Sequence, residues 1–99
     1  MLFMIVAEHT AENCPGGIVR PDKQFMDKTV EAIKKSGVKL VEGYFDGPKH
    51  VFYIILEAND NTSIINAVEP LRVVGTVSIS PVLKFTESVA WAKKIGIQE

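Results

Sequence analysis

Residues 38–45 and 50–57 are two β-rich runs separated by Asp46-Gly47-Pro48-Lys49, turn chemistry that closes a hairpin through a loop of about four residues. Such a turn sets Phe45 opposite His50, Tyr44 opposite Val51, Glu42 opposite Tyr53 and Leu40 opposite Ile55. Side chains alternate across a strand, so the hairpin has two readable faces. One carries Val41, Gly43, Phe45, Phe52, Ile54 and Leu56; the other carries Val38, Leu40, Glu42, Tyr44, Val51, Tyr53, Ile55 and Glu57. Both are largely apolar. A hairpin of this kind has to be covered on two sides.

The remaining segments supply cover for one of them. Residues 2–9 read as a strand, and residues 10–19 as a loop punctuated by Asn13-Cys14-Pro15-Gly16-Gly17. Pro21 and Asp22 open a helix in which Phe25, Met26, Thr29, Val30 and Ile33 recur at helical spacing, and Gly37 caps it. Asn59-Asp60-Asn61-Thr62 offers N-caps to a second helix carrying Ile64, Ile65 and Val68, which Pro70 is expected to stop. Residues 75–85 form a last strand, with Pro81 marking an edge or a bulge. Thr86-Glu87-Ser88 then caps a tail helix that bears Trp91, Lys93 and Lys94, runs to Ile95 and stops at Gly96. The order is βαββαβ plus a C-terminal helix. It predicts an α+β, ferredoxin-like fold: a four-stranded antiparallel sheet of order 4-1-3-2 with both crossover helices on one face. In strand one, Phe3, Ile5 and Ala7 are assigned to the helices, and Leu2, Met4, Val6 and Glu8 to the open face.

The chain has 99 residues, which fit a single domain over 1–99. With 46% hydrophobic and 23% charged residues it is too apolar for disorder. Eleven Lys and Arg against twelve Asp and Glu leave a net charge of −1, so no polyanion is recruited by charge and nucleic acid is not expected as a partner. An RNA-binding sheet of this kind would also need stacked aromatics in a basic surround, and Tyr53 alone falls short. Lys34, Lys35, Lys93 and Lys94 read as solvated helix faces and helix-end complements. The lone Cys14 excludes an internal disulfide and a CxxC motif. Neither a signal-peptide core nor a membrane span of roughly 20 apolar residues is visible, so a cytoplasmic protein without membrane contact is expected. A second copy is the simplest cover for the bare sheet face, which predicts a homodimer.

Tyr44 within Gly43-Tyr44-Phe45, the turn Gly47-Pro48, the strand end Leu56-Glu57-Ala58 and the following Asn59-Asp60-Asn61 are similar to the small GYD-type proteins of the ferredoxin-like dimeric α/β-barrel superfamily. The opening Met1-Leu2-Phe3 and the chain length also resemble the muconolactone isomerase branch. This resemblance implies a dimeric α/β barrel, and for an enzyme it implies cofactor-independent proton transfer or oxygenation of a small, partly aromatic molecule. Gly47-Pro48-Lys49-His50 stands near where the name-giving Gly-Tyr-Asp would lie, so no catalytic residue carries over.

Within the expected fold, Glu8, Glu42, Tyr44, Tyr53 and Ser78 should converge on the open face near one sheet edge, with His50 and the loop bearing His9, Glu12 and Cys14 at its rim. Glu57 falls at the far end, too distant from Glu8 to form an acid and base pair. Glu8 or His50 is the candidate catalytic base, because a carboxylate in an apolar cavity and a histidine can each move a proton near neutral pH. Glu42, Tyr44, Tyr53 and Ser78 are the candidate ligand contacts. The plain alternatives are carboxylates paired with a Lys, Arg or backbone amide, tyrosines that pack, and a solvated histidine. His9, Glu12 and Cys14 are residue types that hold transition metals, but their spacing gives that reading little support, and Pro15-Gly16-Gly17 already explains a plain surface turn. Cys14 as a nucleophile would need an activating base. The leading reading is a homodimer with a small-molecule cavity between the open faces, lined also by Met4, Val6 and Val51, needing no cofactor or metal. A cofactor-independent oxygenase or isomerase is its enzymatic form. The alternatives are a metabolite sensor, an assembly module, or a metal-binding protein using the His9 and Cys14 loop.

Overall fold

The computed structural model describes residues 1–94, apart from the side chain of Trp91. The expected helix end at Ile95 and stop at Gly96 lie outside the described residues, as does any role of the Trp91 ring. The elements follow the order β1 (Leu2–His9), α1 (Phe25–Lys35), β2 (Lys39–Asp46), β3 (Val51–Glu57), α2 (Asn61–Ala67), α3 (Glu69–Val74), β4 (Gly75–Val82) and α4 (Phe85–Lys94). All strand pairs are antiparallel, in the order β2-β3-β1-β4, which read from the other edge is the expected 4-1-3-2.

Helix boundaries have local causes. Gly37 sits at φ 74 after α1 and its N–H donates to the Lys34 carbonyl at 3.3 Å, the left-handed cap its position suggests. Asp60 caps α2 by accepting from the Ser63 N–H at 2.7 Å. Pro70 does not end the helical region. It falls in the first turn of a separate helix, α3, where its missing N–H costs nothing.

The core lies between one sheet face and α1 to α3. Phe3, Ile5, Ala7, Phe52, Ile54 and Leu56 meet Phe25 and Ile33 of α1 and Ile64, Ala67, Val68 and Leu71 of the second helical region. The division of β1 is as expected: Phe3, Ile5 and Ala7 are buried, whereas Glu8 is exposed. On α1, Phe25, Thr29 and Ile33 are buried; the Thr29 hydroxyl donates to the Phe25 carbonyl at 2.8 Å, so its burial leaves nothing unpaired. Met26 and Val30 remain exposed, because they border an open groove between α1 and β2 rather than the closed core.

The hairpin register differs from the expectation. Asp46 joins β2 and pairs with Val51, so Phe45 faces Phe52, Tyr44 faces Tyr53, and Glu42 faces Ile55. The Asp46 side chain holds the turn instead, its Oδ1 accepting from the Lys49 N–H at 3.1 Å. A slip of two residues keeps every side chain on its face. A bulge between Leu40 and Glu42 does not, because one extra residue, Val41, reverses the phase before it: Leu40 pairs with Leu56, and Val38 enters the core rather than the open face.

β4 ends at Val82, and α4 makes at most a glancing contact with other elements among the described residues. The radius of gyration is 15.7 Å, against about 13 Å for a compact chain of this length. No helix among the described residues is long and apolar enough to cross a membrane.

Candidate functional site

The loop after β1 is a run of tight turns. The Asn13 N–H donates to the Thr10 carbonyl at 3.1 Å, Cys14 to Ala11 at 3.3 Å and Gly17 to Cys14 at 2.9 Å. A side chain on Gly17 would crowd the Cys14 carbonyl, a Cβ there lying 3.2 Å away. These bonds fold Cys14 and Pro15 inward. The Asp22 N–H then reaches back to the Pro15 carbonyl at 2.8 Å, while Asp22 Oδ1 accepts from the Gln24 N–H at 3.0 Å and sets the start of α1. Loop and helix entry are thereby tied together.

His9 ends β1 on the core face, opposite Gly75 of β4. Any Cβ at residue 75 would run into the Glu8 carbonyl oxygen, so only glycine lets β4 approach the strand that carries His9. On the other side, the His9 N–H donates to the His50 carbonyl at 3.2 Å, extending the β1 and β3 pairing by one bond. His50 itself takes φ 55, and its N–H donates to the Gly47 carbonyl at 3.2 Å. Left-handed backbone is uncommon for a residue with a side chain. Here it turns the His50 ring toward that of His9, with centroids 5.2 Å apart.

One ligating atom from each of His9, Cys14 and His50 lies within 4.8 Å of the other two. His9 is 9% exposed. Its Nε2 and the Nδ1 of His50 are buried with no hydrogen-bond partner, and orphaned polar atoms of this kind are scarce in folded proteins. Phe45 stacks at 6.2 Å and Phe52 tilts at 5.7 Å from the His9 ring. Burial, and secondarily the neighbouring His50, holds the His9 imidazole below its ordinary pKa and favours its neutral form.

A cavity of about 570 Å³ opens beside this cluster. Its walls are His9, Cys14, Pro15 and Gly16 from the loop side, Pro21, Asp22, Lys23, Phe25 and Met26 from the start of α1, and Phe45 and Phe52 from the sheet. The cavity lies on the helix side of the sheet, at the C-terminal end of β1.

The residues expected on the open face are there, in rows set by the register. Tyr44, Tyr53, Val6 and Ser78 lie side by side across the four strands. Glu8 shares the next row with Val51 and Thr76, and Glu42 lies in the row of Ile55, Met4 and Ser80. Glu8 and Glu42 therefore do not converge: they stand two rows apart, roughly 13 Å along the strands. Glu12 does not join the histidine cluster either. It is exposed and pairs with Arg20 at 3.7 Å. In its place the β1 and β3 register, which pairs Glu8 with Val51, brings His50 to His9. The signal in the sequence was the pair of histidines themselves, each beside a strand end. The aromatic walls Phe45 and Phe52 were legible as helix-side residues but not as cavity walls.

Fold and cluster together define an α+β protein with a four-stranded antiparallel sheet and a His and Cys cluster at the mouth of an apolar cavity. Over residues 1–96 the chain matches the family described as a domain of unknown function, DUF3303, and it belongs to that family. No curated protein and no solved structure matches it.

Proposed function

We propose that this protein is a ferredoxin-like, homodimeric binder of a small, partly aromatic molecule, with the cavity beside His9 as the binding site. The observation that carries this reading is the apolar cavity of about 570 Å³, within the size range of small-molecule sites, whose walls include His9 with its unpartnered Nε2. Phe25, Phe45 and Phe52 offer aromatic walls to an aromatic ligand, and His9 offers a polar atom to orient it. Strand order and crossover pattern support the ferredoxin-like and dimeric-barrel part of the reading, as does the likeness to GYD-type proteins. In its enzymatic form, proton transfer would use His50 or His9, because Glu8 lies on the opposite face of the sheet. The row of Tyr44, Tyr53 and Ser78 then belongs to the face between subunits rather than to the ligand.

The test is NMR titration of the metal-free protein with phenol and substituted phenols. Saturable shifts at Met26, Phe45 and His9 are expected, and Met26→Trp, which fills the cavity, should abolish them. Shifts confined to Val6, Tyr44, Tyr53 and Ser78 would move the site to the open face. No saturable shift anywhere would end the small-aromatic reading.

A further inference from the structure

We infer that His9, Cys14 and His50 form a mononuclear site for a zinc-type divalent transition metal, with one coordination position open to the cavity. The three residues come from three separately fixed segments: the end of β1, the turn-rich loop and the hairpin. Their ligating atoms lie within 4.8 Å of one another. Ligand atoms on a tetrahedral zinc stand roughly 3.3 to 3.8 Å apart given its usual bond lengths, so closing the site takes side-chain rotations of about an ångström.

Three observations point to a cation rather than to packing. His9 Nε2 and His50 Nδ1 are buried and unpartnered, yet nothing apolar requires an imidazole at either place. His9 is nine-tenths buried and aimed into the cluster. His50 adopts left-handed backbone where Gly or Asn would fit with less strain, and that conformation brings its ring to the cluster. Two imidazoles and a thiolate, with no carboxylate among them, select zinc, cobalt or copper over magnesium or calcium. On binding, the Cys14 thiol loses its proton to solvent and the metal–sulfur bond forms in its place. Three protein ligands leave a fourth position, and Cys14 and His9 both line the cavity, so that position faces it. Access of a cavity ligand to the metal rests on the function proposed above; binding of the metal does not.

The experiment is a Co²⁺ titration of tag-free protein stripped with chelator, followed by competition with Zn²⁺. One Co²⁺ per chain is expected, with tetrahedral absorption and a thiolate-to-cobalt charge-transfer band, and Zn²⁺ should displace it. Cys14→Ser should lose the charge-transfer band. His50→Asn suits the left-handed backbone, so it should keep the wild-type circular dichroism and melting behaviour while the dissociation constant rises at least roughly tenfold. His9→Gln should weaken binding similarly, and Glu12→Gln should leave it unchanged. Absence of saturable binding at one per chain would overturn the inference, as would equal affinity in folded His50→Asn or an octahedral, oxygen-type spectrum. Phenol titration of the stripped protein reads the cavity separately, so either proposal can fail without the other.

Discussion

At the residue scale, the informative side chain is His9, a titratable group on the core face of a strand whose neighbours on that face, Phe3, Ile5 and Ala7, are all apolar and buried. Burial first and His50 second lower its pKa from 6.5. In the unfolded chain it takes up a proton as pH falls through that value; in the folded chain it does so only at lower pH. As pH falls through 6.5 the unfolded state therefore binds the His9 proton first, and His9 should contribute a decline in the stability of the metal-free protein on acidification through that point. Thermal melts of wild type and His9→Gln from pH 8 to about pH 5 check this. The wild type should lose melting temperature on the acid side, and the variant should lose measurably less. A wild type that gains stability on acidification would mean that protonated His9 finds an anionic partner in the fold.

At the element scale, the close approach of β1 and β4 is what presents His9 at the strand end, and it depends on Gly75. A methyl group there meets backbone, the Glu8 carbonyl, which has no flexible end to move aside. Gly75→Ala should therefore cost about 1–3 kcal/mol, as overpacking usually does, read as a lower urea midpoint with an unchanged slope. Gly16→Ala, where nothing lies within 4 Å, is the control that should change little. Strand existence, strand order and the buried set of β1 were legible because alternation and turn chemistry act locally and agreed with one another. The hairpin register was not. Asp46 can either sit in the turn or extend β2 and hold the turn with its side chain, and the sequence reads the same for both. Only pairing across strands decides; His50, rather than Glu12, stands beside His9 because β1 and β3 pair Glu8 with Val51 and the His9 N–H bonds the His50 carbonyl. The Val41 bulge was hidden for a similar reason, since one extra residue in an edge strand leaves no compositional mark. Pro70 misleads in isolation: it stops a helix that precedes it or starts one that follows, and tertiary packing of Leu71 selected the second.

At the scale of the whole molecule, helices cover one sheet face, and among the described residues α4 extends from the end of β4 with at most a glancing contact to the sheet. The open face carries Leu2, Met4, Val6, Tyr53 and Ile55 in a stripe through its two central strands, bordered by Thr76, Ser78 and Ser80 of β4. Leu83 and Phe85, at the root of α4, are 55% and 84% exposed. An apolar stripe and an unpacked amphipathic helix on one chain are what a symmetric partner would bury, each copy's face against the other's. The homodimer proposed above predicts that Val6→Lys, at the centre of the stripe, places an unpaired charge in the interface at a cost of about 3 kcal/mol or more, or roughly a hundredfold in dissociation constant. Light scattering at micromolar concentration should give twice the chain mass for wild type and the chain mass for Val6→Lys, with the circular dichroism of the two alike. Thr76→Lys, in the polar β4 border, should remain dimeric. A wild-type protein that scatters as a single chain at that concentration would remove the dimer, and the metal and cavity proposals would stand without it, since both are built on the helix side of the sheet.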